Sequence, residues 1–259
     1  GSSTLDLFGS VVATGPDLDG DGEPDLVVLS GGGAFGGLIQ VVSSATGLAG
    51  PGWTGSFLGT NIGPGSAGAV RLDLGSDGVP DLLIGVRPGC RVIGFDLQSG
   101  SLLYSIANPS SCVDVLGLPN SLFGAAIAGI GDVNGDGVSD IVASDSLADG
   151  NGLDSGVVRV HSGVSGAVIA AADGLAPLDE FGTSVCVVDH PGVGVADDLV
   201  VGSRVASGAV PVSGAVDFLD PTTLLPRMRV EGAQLGSEFG RNVVQLHDLN
   251  GDGYSEVLV

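Results

Sequence analysis

Three short segments of the chain concentrate acidic and amide side chains at alternate positions, with glycines between them. Carboxylates crowded in this way repel one another strongly unless a cation lies among them. Ligand sets made only of oxygen select hard cations, and a flexible loop favours calcium over magnesium. We therefore predict Ca²⁺ as the cofactor, held by side chains at loop positions one, three, five and nine and by the main-chain carbonyl at position seven.

The predicted ligands occupy the same five positions in loops 1, 3 and 5, which begin at the first residue of each set. The three sets are Asp17, Asp19, Asp21, Glu23 and Asp25; Asp132, Asn134, Asp136, Val138 and Asp140; and Asp248, Asn250, Asp252, Tyr254 and Glu256. A weaker set in loop 2 comprises Asp73, Asp77, Val79 and Asp81. Loop 2 has Gly75 at the third position, where water could replace the missing ligand, and its occupancy stays open.

Loop 4, from Asp189 to Asp198, is predicted to be empty, because the ligand positions hold residues 190–193, His-Pro-Gly-Val. The main alternative for the other loops is an EF-hand or dockerin loop, which needs an acid at position twelve and a helix after it. Position twelve is Val28, Ala143 and Val259, and the pattern returns to a strand after position nine. The sequence therefore argues against EF-hands, and we expect the ions to have a structural role.

The loops recur in phase with an internal repeat. The glycines that precede the five loops are separated by 56, 59, 58 and 58 residues and are Gly9, Gly65, Gly124, Gly182 and Gly240. Repetition at a fixed step indicates a repeat architecture. Apolar runs such as Leu38–Val42 and Arg91–Phe95 alternate with turn residues, which is typical of hairpins, and no segment has a useful helical periodicity.

Each unit is predicted to be a four-stranded antiparallel meander of about 58 residues. Four-stranded units that must bury both faces stack radially, so the predicted fold is an all-β propeller with five visible repeats, the last incomplete. The predicted organisation is one domain over residues 1–259, with repeats at about 4–60, 61–119, 120–177, 178–235 and 236–259. Only seven residues precede Phe8, which could supply one strand but not two, so we expect either an incomplete ring or a sequence from which residues are missing.

Four of the repeat glycines follow a phenylalanine, as in Phe8-Gly9 and Phe123-Gly124, and the second repeat has Pro64-Gly65 instead. With the acidic loops, this pattern resembles the FG-GAP repeat of the integrin α-subunit propeller and its bacterial relatives. The resemblance covers essentially the whole chain, although the Gly-Ala-Pro element is degenerate. It implies a calcium-binding propeller, secreted or at the cell surface, that serves as a protein-binding or cell-adhesion module.

Composition excludes several other classes of function. The net charge is −22 and all eight basic residues are arginine, which argues against nucleic acid and anionic membrane partners. No apolar stretch approaches the roughly 20 residues of a membrane-spanning helix. The glycine-rich segments 31–36 and 63–68 match a dinucleotide pattern, but neither leads into a helix, so both are predicted to be turns.

The sequence offers no nucleophile and base pair, so an enzyme is not expected. Two alternatives to a protein-binding module stay open: a carbohydrate-binding, lectin-like propeller, against which the scarcity of Trp and Tyr counts, and a non-catalytic domain of a larger secreted enzyme. The predicted contact surface lies in loops 147–154 and 205–212, away from the acidic loops. Cys90 and Cys112 flank one predicted hairpin and form either a disulfide or two separate thiols.

Overall fold

A computed structural model describes residues 7–31, 38–54, 67–74, 78–86, 90–110, 112, 121–188, 198–246 and 248–259. Within these ranges the chain is all-β, with strands and turns and no helix. The chain separates into two compact units, Gly1–Pro109 and Ser110–Val259. The prediction of a single domain therefore stays a prediction, and each unit is described by itself.

The first unit contains two four-stranded antiparallel sheets, each a meander in sequence order. Blade 1 comprises β1 (Leu7–Thr14), β2 (Leu26–Gly31), β3 (Leu38–Val42) and β4 (Ala49–Thr54), and blade 2 comprises β5 (Ala67–Leu72), β6 (Asp81–Val86), β7 (Arg91–Phe95) and β8 (Leu102–Ala107). The two sheets share one apolar core that includes Leu29, Ile39, Ile84 and Phe95. The sequence predicted β3 and β7 with these same limits.

The second unit repeats the meander twice and adds a two-stranded pair. Blade 3 comprises β9 (Ile127–Gly129), β10 (Ile141–Asp145), β11 (Val157–His161) and β12 (Val168–Asp173); blade 4 comprises β13 (Phe181–Val188), β14 (Asp198–Ser203), β15 (Ala215–Leu219) and β16 (Pro226–Glu231); and blade 5 comprises β17 (Val244–Gln245) and β18 (Val257–Leu258). The described part of the chain is thus built from the stacked four-stranded blades of a β-propeller, as the repeat predicts.

Burial in each blade follows from this stacking. Strand β10 is buried along its whole length, whereas the outermost strand β12 is largely exposed. Blade 2 shows the same contrast between β6 and β8. A strand buried on both faces needs an apolar run without alternation, and Ile141-Val142-Ala143 provides one. These runs place the core between successive sheets and leave the hairpin ends at the surface.

In blades 1 and 4 the Phe-Gly pair lies where the first strand of the blade bulges. Pairing of β13 with β14 shifts register between Phe181 and Ser184, and β1 shifts in the same way after Phe8. Gly182 has φ of 89°, a left-handed conformation that glycine adopts without steric cost. A Cβ at Gly182 would also meet the Ser144 Cβ at 2.8 Å in the neighbouring blade. The glycine therefore meets both a backbone and a packing requirement.

The cysteines are placed differently from one another. Cys90 is buried and Cys112 is half-buried, and the disulfide between them stays one of two predicted alternatives. Cys186 lies in β13, packs against the core of blades 4 and 5, and its burial raises the pKa of the thiol to about 11. A thiol with so high a pKa is unreactive at neutral pH, which agrees with the predicted packing role.

His161 is fully buried at the end of β11, where its ring lies edge-on to Phe123 with ring centroids 5.9 Å apart. Its Nδ1 donates to the carbonyl of Gly166 at 3.0 Å, and among the described residues its Nε2 has no hydrogen-bond partner. Burial lowers the pKa of His161 below its usual value, and the charge of Arg159 acts in the same direction. Both effects favour the neutral form of the imidazole in the folded protein.

Replacing His161 should remove a source of acid sensitivity. The folded pKa is depressed, so the stability that neutral His161 contributes is full above the unfolded pKa and is lost as the pH falls below about 6.5. Leucine occupies the equivalent position, 219, in blade 4. Below pH 6.5, we expect the free energy of unfolding of His161→Leu to rise relative to that of the wild type by up to about 1.4 kcal/mol for each pH unit, until the folded pKa of His161 is reached. Urea unfolding of both proteins at pH 7.5 and 5.5 measures this, and parallel losses in the two would contradict it.

Candidate metal centres

The acidic loops connect the first and second strands of their blades. Loop 1 joins β1 to β2, loop 2 joins β5 to β6, loop 3 joins β9 to β10, and loop 5 joins β17 to β18. Two glycines in loop 3, Gly135 and Gly137, have φ of 80° and 91°, and the matching glycines of loops 1 and 5 agree within a few degrees. These left-handed residues turn the backbone tightly enough for its amides to point inward.

The first carboxylate of each loop is held by backbone amides. The Gly137 N–H donates to Asp132 at 2.8 Å, and the equivalent bonds are 2.9 Å from Gly22 to Asp17 and 2.8 Å from Gly253 to Asp248. These bonds, with others from the same loop, lower the pKa of the first carboxylate in all three loops. The first ligand is therefore ionised and fixed in direction.

The last carboxylate of each loop is held by the amide of position two. The distances are 2.8 Å in loop 1, 2.9 Å in loops 2 and 3, and 2.7 Å in loop 5, for the donors Leu18, Leu74, Val133 and Leu249. The same bond therefore closes every described loop across its mouth, including loop 2. Asp25 and Asp140 are fully buried by this closure.

The carboxylates of loops 1 and 5 converge. Ligand atoms of Asp17, Asp19 and Asp21 lie within 4.8 Å of one another, and so do those of Asp248, Asp252 and Glu256. Oxygen ligands of Ca²⁺ lie about 2.3–2.6 Å from the ion, so two of them on opposite sides are separated by about 5 Å. These oxygens are therefore close enough to share one ion.

In loop 3, hydrogen bonds connect three of the four predicted side-chain ligands, Asn134, Asp136 and Asp140. The Asn134 Nδ2 donates to Asp136 at 2.8 Å and to Asp140 at 3.4 Å. Burial raises the pKa of Asp140, against hydrogen bonds from Gly163 and Val133 that lower it. A nearby cation would offset that cost of burying the charge.

One buried oxygen bears directly on whether a cation fits. The Oδ1 of Asp25 is buried and has no hydrogen-bond partner among the described residues, although its Oδ2 accepts from Leu18. A buried carboxylate oxygen without a partner is costly. The same loop holds the converging carboxylates of Asp17, Asp19 and Asp21, and oxygen donors of this kind suit a divalent ion.

Some predicted ligands fall outside what the structure decides. The amides of Glu23, Val138 and Tyr254, the three seventh-position residues, donate to the fifth-position carboxylate at 2.8, 3.0 and 2.9 Å. Ligation by their carbonyls stays a prediction. In loop 2, Asp77 lies outside the described residues, whereas Asp73 accepts from Gly78 at 3.0 Å. Most of loop 4, residues 189–197, also lies outside them.

Two serines at these centres were not predicted. The Ser162 hydroxyl donates to the Oδ2 of Asp136 at 3.2 Å, and the Ser43 hydroxyl makes the longer matching contact with Asp21 at 3.4 Å. Both serines follow the third strand of their blade and are buried. They orient the fifth-position carboxylate from outside the loop. A comparison of the turns that follow the third strand in each repeat could have found them.

After position nine the chain enters β2, β10 and β18, and no helix follows a loop. The exclusion of EF-hand loops is therefore confirmed for these three loops. Loops 1 and 3 close an antiparallel hairpin at the end of a stacked four-stranded blade, and in blade 1 the bulge at the Phe-Gly pair lies at the other end of the same hairpin. Residues 8–42, which span the Phe-Gly pair, loop 1, β2 and β3, match the family model described as the FG-GAP repeat.

The chain carries an FG-GAP repeat. It is also similar to mouse integrin alpha-E, with 28% identity over 190 residues that cover 66% of this chain and 15% of the integrin. Because the chain spans so small a part of that relative, the activity and partners of the whole integrin are not transferred to it. The resemblance to integrin α-subunits predicted from the sequence is thus confirmed.

Two solved structures are similar to this chain. A crystal structure described as BBS1N in complex with ARL6DN, soaked with lead, has a TM-score of 0.49 and 9% identity and covers 96% of this chain and 75% of its own. The Dos1 propeller has a TM-score of 0.48 and 14% identity, with coverage of 81% and 45%. In the part of this chain that the structure describes, no helix is long and apolar enough to cross a membrane.

Proposed function

We propose that this chain is part of an extracellular β-propeller that is stabilised by Ca²⁺ and binds a protein partner. The observation that supports calcium most directly is the convergence of the Asp17, Asp19 and Asp21 carboxylates in loop 1, whose ligand atoms lie within 4.8 Å of one another. The FG-GAP repeat and the similarity to an integrin α-subunit support the role as a binding module at the cell surface.

The ions would act on structure, since each loop closes one hairpin. In loop 3, Asp132, Asn134, Asp136 and Asp140 would hold the ion with their side chains. A divalent cation there neutralises the repulsion between carboxylates and fixes the turn between β9 and β10. Binding to the folded form alone then stabilises the blade through mass action.

Metal stoichiometry tests this part of the proposal. We expect isothermal titration calorimetry with calcium to show one ion for each of loops 1, 3 and 5, and a fourth ion only if loop 2 also binds. Asp136→Asn should remove one ion, because it takes away a carboxylate and keeps the acceptor for the Val138 amide at 3.0 Å. Asp149→Asn, which changes an exposed acid in a loop at the other end of blade 3, is the control with the same charge change and should leave the count intact.

The partner surface would lie at the ends of the blades opposite the acidic loops. In an antiparallel meander, the connections β10–β11 and β12–β13 leave from the end opposite β9–β10. There Leu153, Leu175 and Leu178 are exposed. The Leu178 amide donates to the Leu153 carbonyl at 2.8 Å, and the Asn151 Nδ2 donates to the Leu175 carbonyl at 2.7 Å.

These bonds tie the two loops into one ordered surface, which includes the predicted segment 147–154. Exposed leucines that are held close together are typical of a protein interface. Asp149, Asp154 and Glu180 lie on the same loops, so the favoured partner carries basic side chains around an apolar centre.

A panel of purified matrix and cell-surface proteins, tested in calcium against the immobilised chain, would find such a partner. Leu153→Ser should abolish the strongest interaction. Val164→Ser is the matched control, since Val164 is 60% exposed at the acidic-loop end and Leu153 is 59% exposed. Binding that survives Leu153→Ser but is lost in Val164→Ser would place the partner at the acidic-loop end and contradict the proposed surface. Binding that is detected only on a glycan array would favour the lectin-like alternative.

A further inference from the structure

In blade 4 a single arginine joins two carboxylates at the hairpin end where the other blades have their acidic loops. The Nη1 of Arg227 contacts the Oδ1 of Asp198 at 2.9 Å, and its Nη2 contacts the Oδ2 of Asp220 at 2.6 Å. The three side chains come from β14, the turn after β15, and β16. One guanidinium therefore holds three segments of the blade together.

Asp198 is the counterpart of the last ligand in the other loops. It precedes Leu199, which pairs with Leu219 on the third strand. Asp140 likewise precedes Ile141, which pairs with His161. The register therefore makes Asp198 the counterpart of the ninth-position ligand Asp140, although loop 4 counted from Asp189 is one residue longer.

Asp220 is the counterpart of Ser162. Each opens the turn after the third strand, and each turn is closed by two backbone bonds of 2.7–2.9 Å, with Asp220 bonded to Leu225 and Leu224. Ser162 contacts the fifth-position carboxylate of loop 3. The position between Asp198 and Asp220 in blade 4 therefore corresponds to a position beside the ion that a complete loop, such as loop 3, would hold.

In the ion pair between Arg227 and Asp220, both side chains are charged. The Thr223 amide, together with its hydroxyl and Arg227, lowers the pKa of Asp220 to about 2. The bond to Asp220 raises the pKa of Arg227, which is already far above neutrality. An arginine stays protonated throughout the physiological range and can bridge two acceptors with its fixed fork of donors.

The arginine stands at a position that is apolar in the neighbouring blades. Arg227 is the extra residue where the pairing of β15 with β16 shifts between Met228 and Pro226. The same shift occurs in blades 2 and 3, and there the extra residues are Leu103 and Ile169. Of these three described bulges, only that of blade 4 carries a cation, and only the loop of blade 4 has residues without side-chain oxygens at its third and fifth positions.

We propose that Arg227 is the resident cation of blade 4 and takes the electrostatic place that Ca²⁺ takes in loops 1, 3 and 5. The inference rests on the calcium binding proposed above. It implies that the blades of one chain use two kinds of cation. Chelation would then loosen blade 3 and leave the corresponding end of blade 4 in place.

Hydrogen exchange by mass spectrometry on the full chain tests this, with calcium and with excess EGTA. Peptides from β9 and β10 report on blade 3, and peptides from β14 to β16 report on blade 4. In the wild type, we expect EGTA to speed exchange in blade 3 and to leave blade 4 unchanged. In Arg227→Met, which keeps much of the aliphatic stem, we expect blade 4 to exchange about two- to fivefold faster in both conditions.

Arg241→Met is the control, because Arg241 makes an equally short exposed ion pair with Glu238, at 2.6 Å, away from the acidic-loop ends. The proposal is overturned if Arg227→Met exchanges like this control, if calcium restores protection in Arg227→Met, or if EGTA loosens wild-type blade 4 as it loosens blade 3. Failure of the calcium proposal looks different: blade 3 would ignore EGTA, and the two arginine variants would still show whether Arg227 holds blade 4 together.

Discussion

Excess EGTA should lower the melting temperature of the protein by about 5–10 °C for each ion removed. An ion present at a hundredfold excess over its dissociation constant stabilises the folded form by about 2.7 kcal/mol. Removing it also restores the repulsion among the carboxylates of the loop, of which loop 1 has Asp17, Asp19, Asp21 and Asp25. Differential scanning calorimetry in millimolar calcium and in EGTA, at one ionic strength, measures the shift.

Magnesium distinguishes a specific site from general screening of a chain with a net charge of −22. Mg²⁺ requires near-ideal octahedral geometry and loses its water reluctantly, so it should restore little of the melting temperature lost in EGTA. Full recovery in magnesium would mean that any divalent charge is enough. Superimposable curves with and without EGTA would refute structural calcium altogether.

Phe181→Ala should destabilise the second unit by about 3–5 kcal/mol, the usual cost of emptying a buried aromatic site. Phe181 is 4% exposed and belongs to the core shared by blades 3 and 4, with Val142 and Leu199. Its amide also donates to the Ser155 carbonyl of blade 3 at 3.0 Å. The side chain and the backbone of Phe181 therefore both contact blade 3 at the boundary between blades 3 and 4.

Two features prevent this boundary from closing over the cavity. A Cβ at Gly182 would already be too close to Ser144, and one at Gly156 would lie 2.1 Å from the Phe181 carbonyl. The backbones of blades 3 and 4 are therefore already in contact and cannot move closer to fill the volume left by the Phe181 side chain. Urea unfolding monitored by circular dichroism measures the loss, with Leu175→Ala as the control at a position 65% exposed. A loss for Phe181→Ala as small as that of Leu175→Ala would show that the phenylalanine is not a wedge between blades.

The repeat made most of the fold predictable from the sequence. Because side chains alternate along strands and turns recur at a fixed step, β3 and β7 were predicted at Leu38–Val42 and Arg91–Phe95, where the structure has them. The FG-GAP resemblance followed from the same pattern. Predicted ligands of loops 1 and 5 converge in space, since a ligand set confined to nine residues depends on local backbone geometry alone.

The parts that the sequence did not reveal depend on contacts between distant segments. Ser162 lies 26 residues from Asp136, and Arg227 lies 29 residues from Asp198. Each contact needs the register of a second hairpin, and Arg227 also needs a bulge that turns one residue of β16 out of the regular pairing. Neither spacing nor composition specifies a bulge of this kind, so the loops were predicted without the groups that support them.

The hydrogen bonds that span each loop affect how quickly the protein can exchange its metal. Amides of Leu18 and Gly22 hold the two end carboxylates of loop 1, and the same bonds recur in loops 3 and 5. Because these bonds are made within the loop itself, an entering ion has to lose its water and draw in the remaining carboxylates, so its capture should proceed near the rate at which it sheds water. Calcium would then exchange rapidly and reversibly, and the occupancy of the loops would follow the free calcium concentration around the protein.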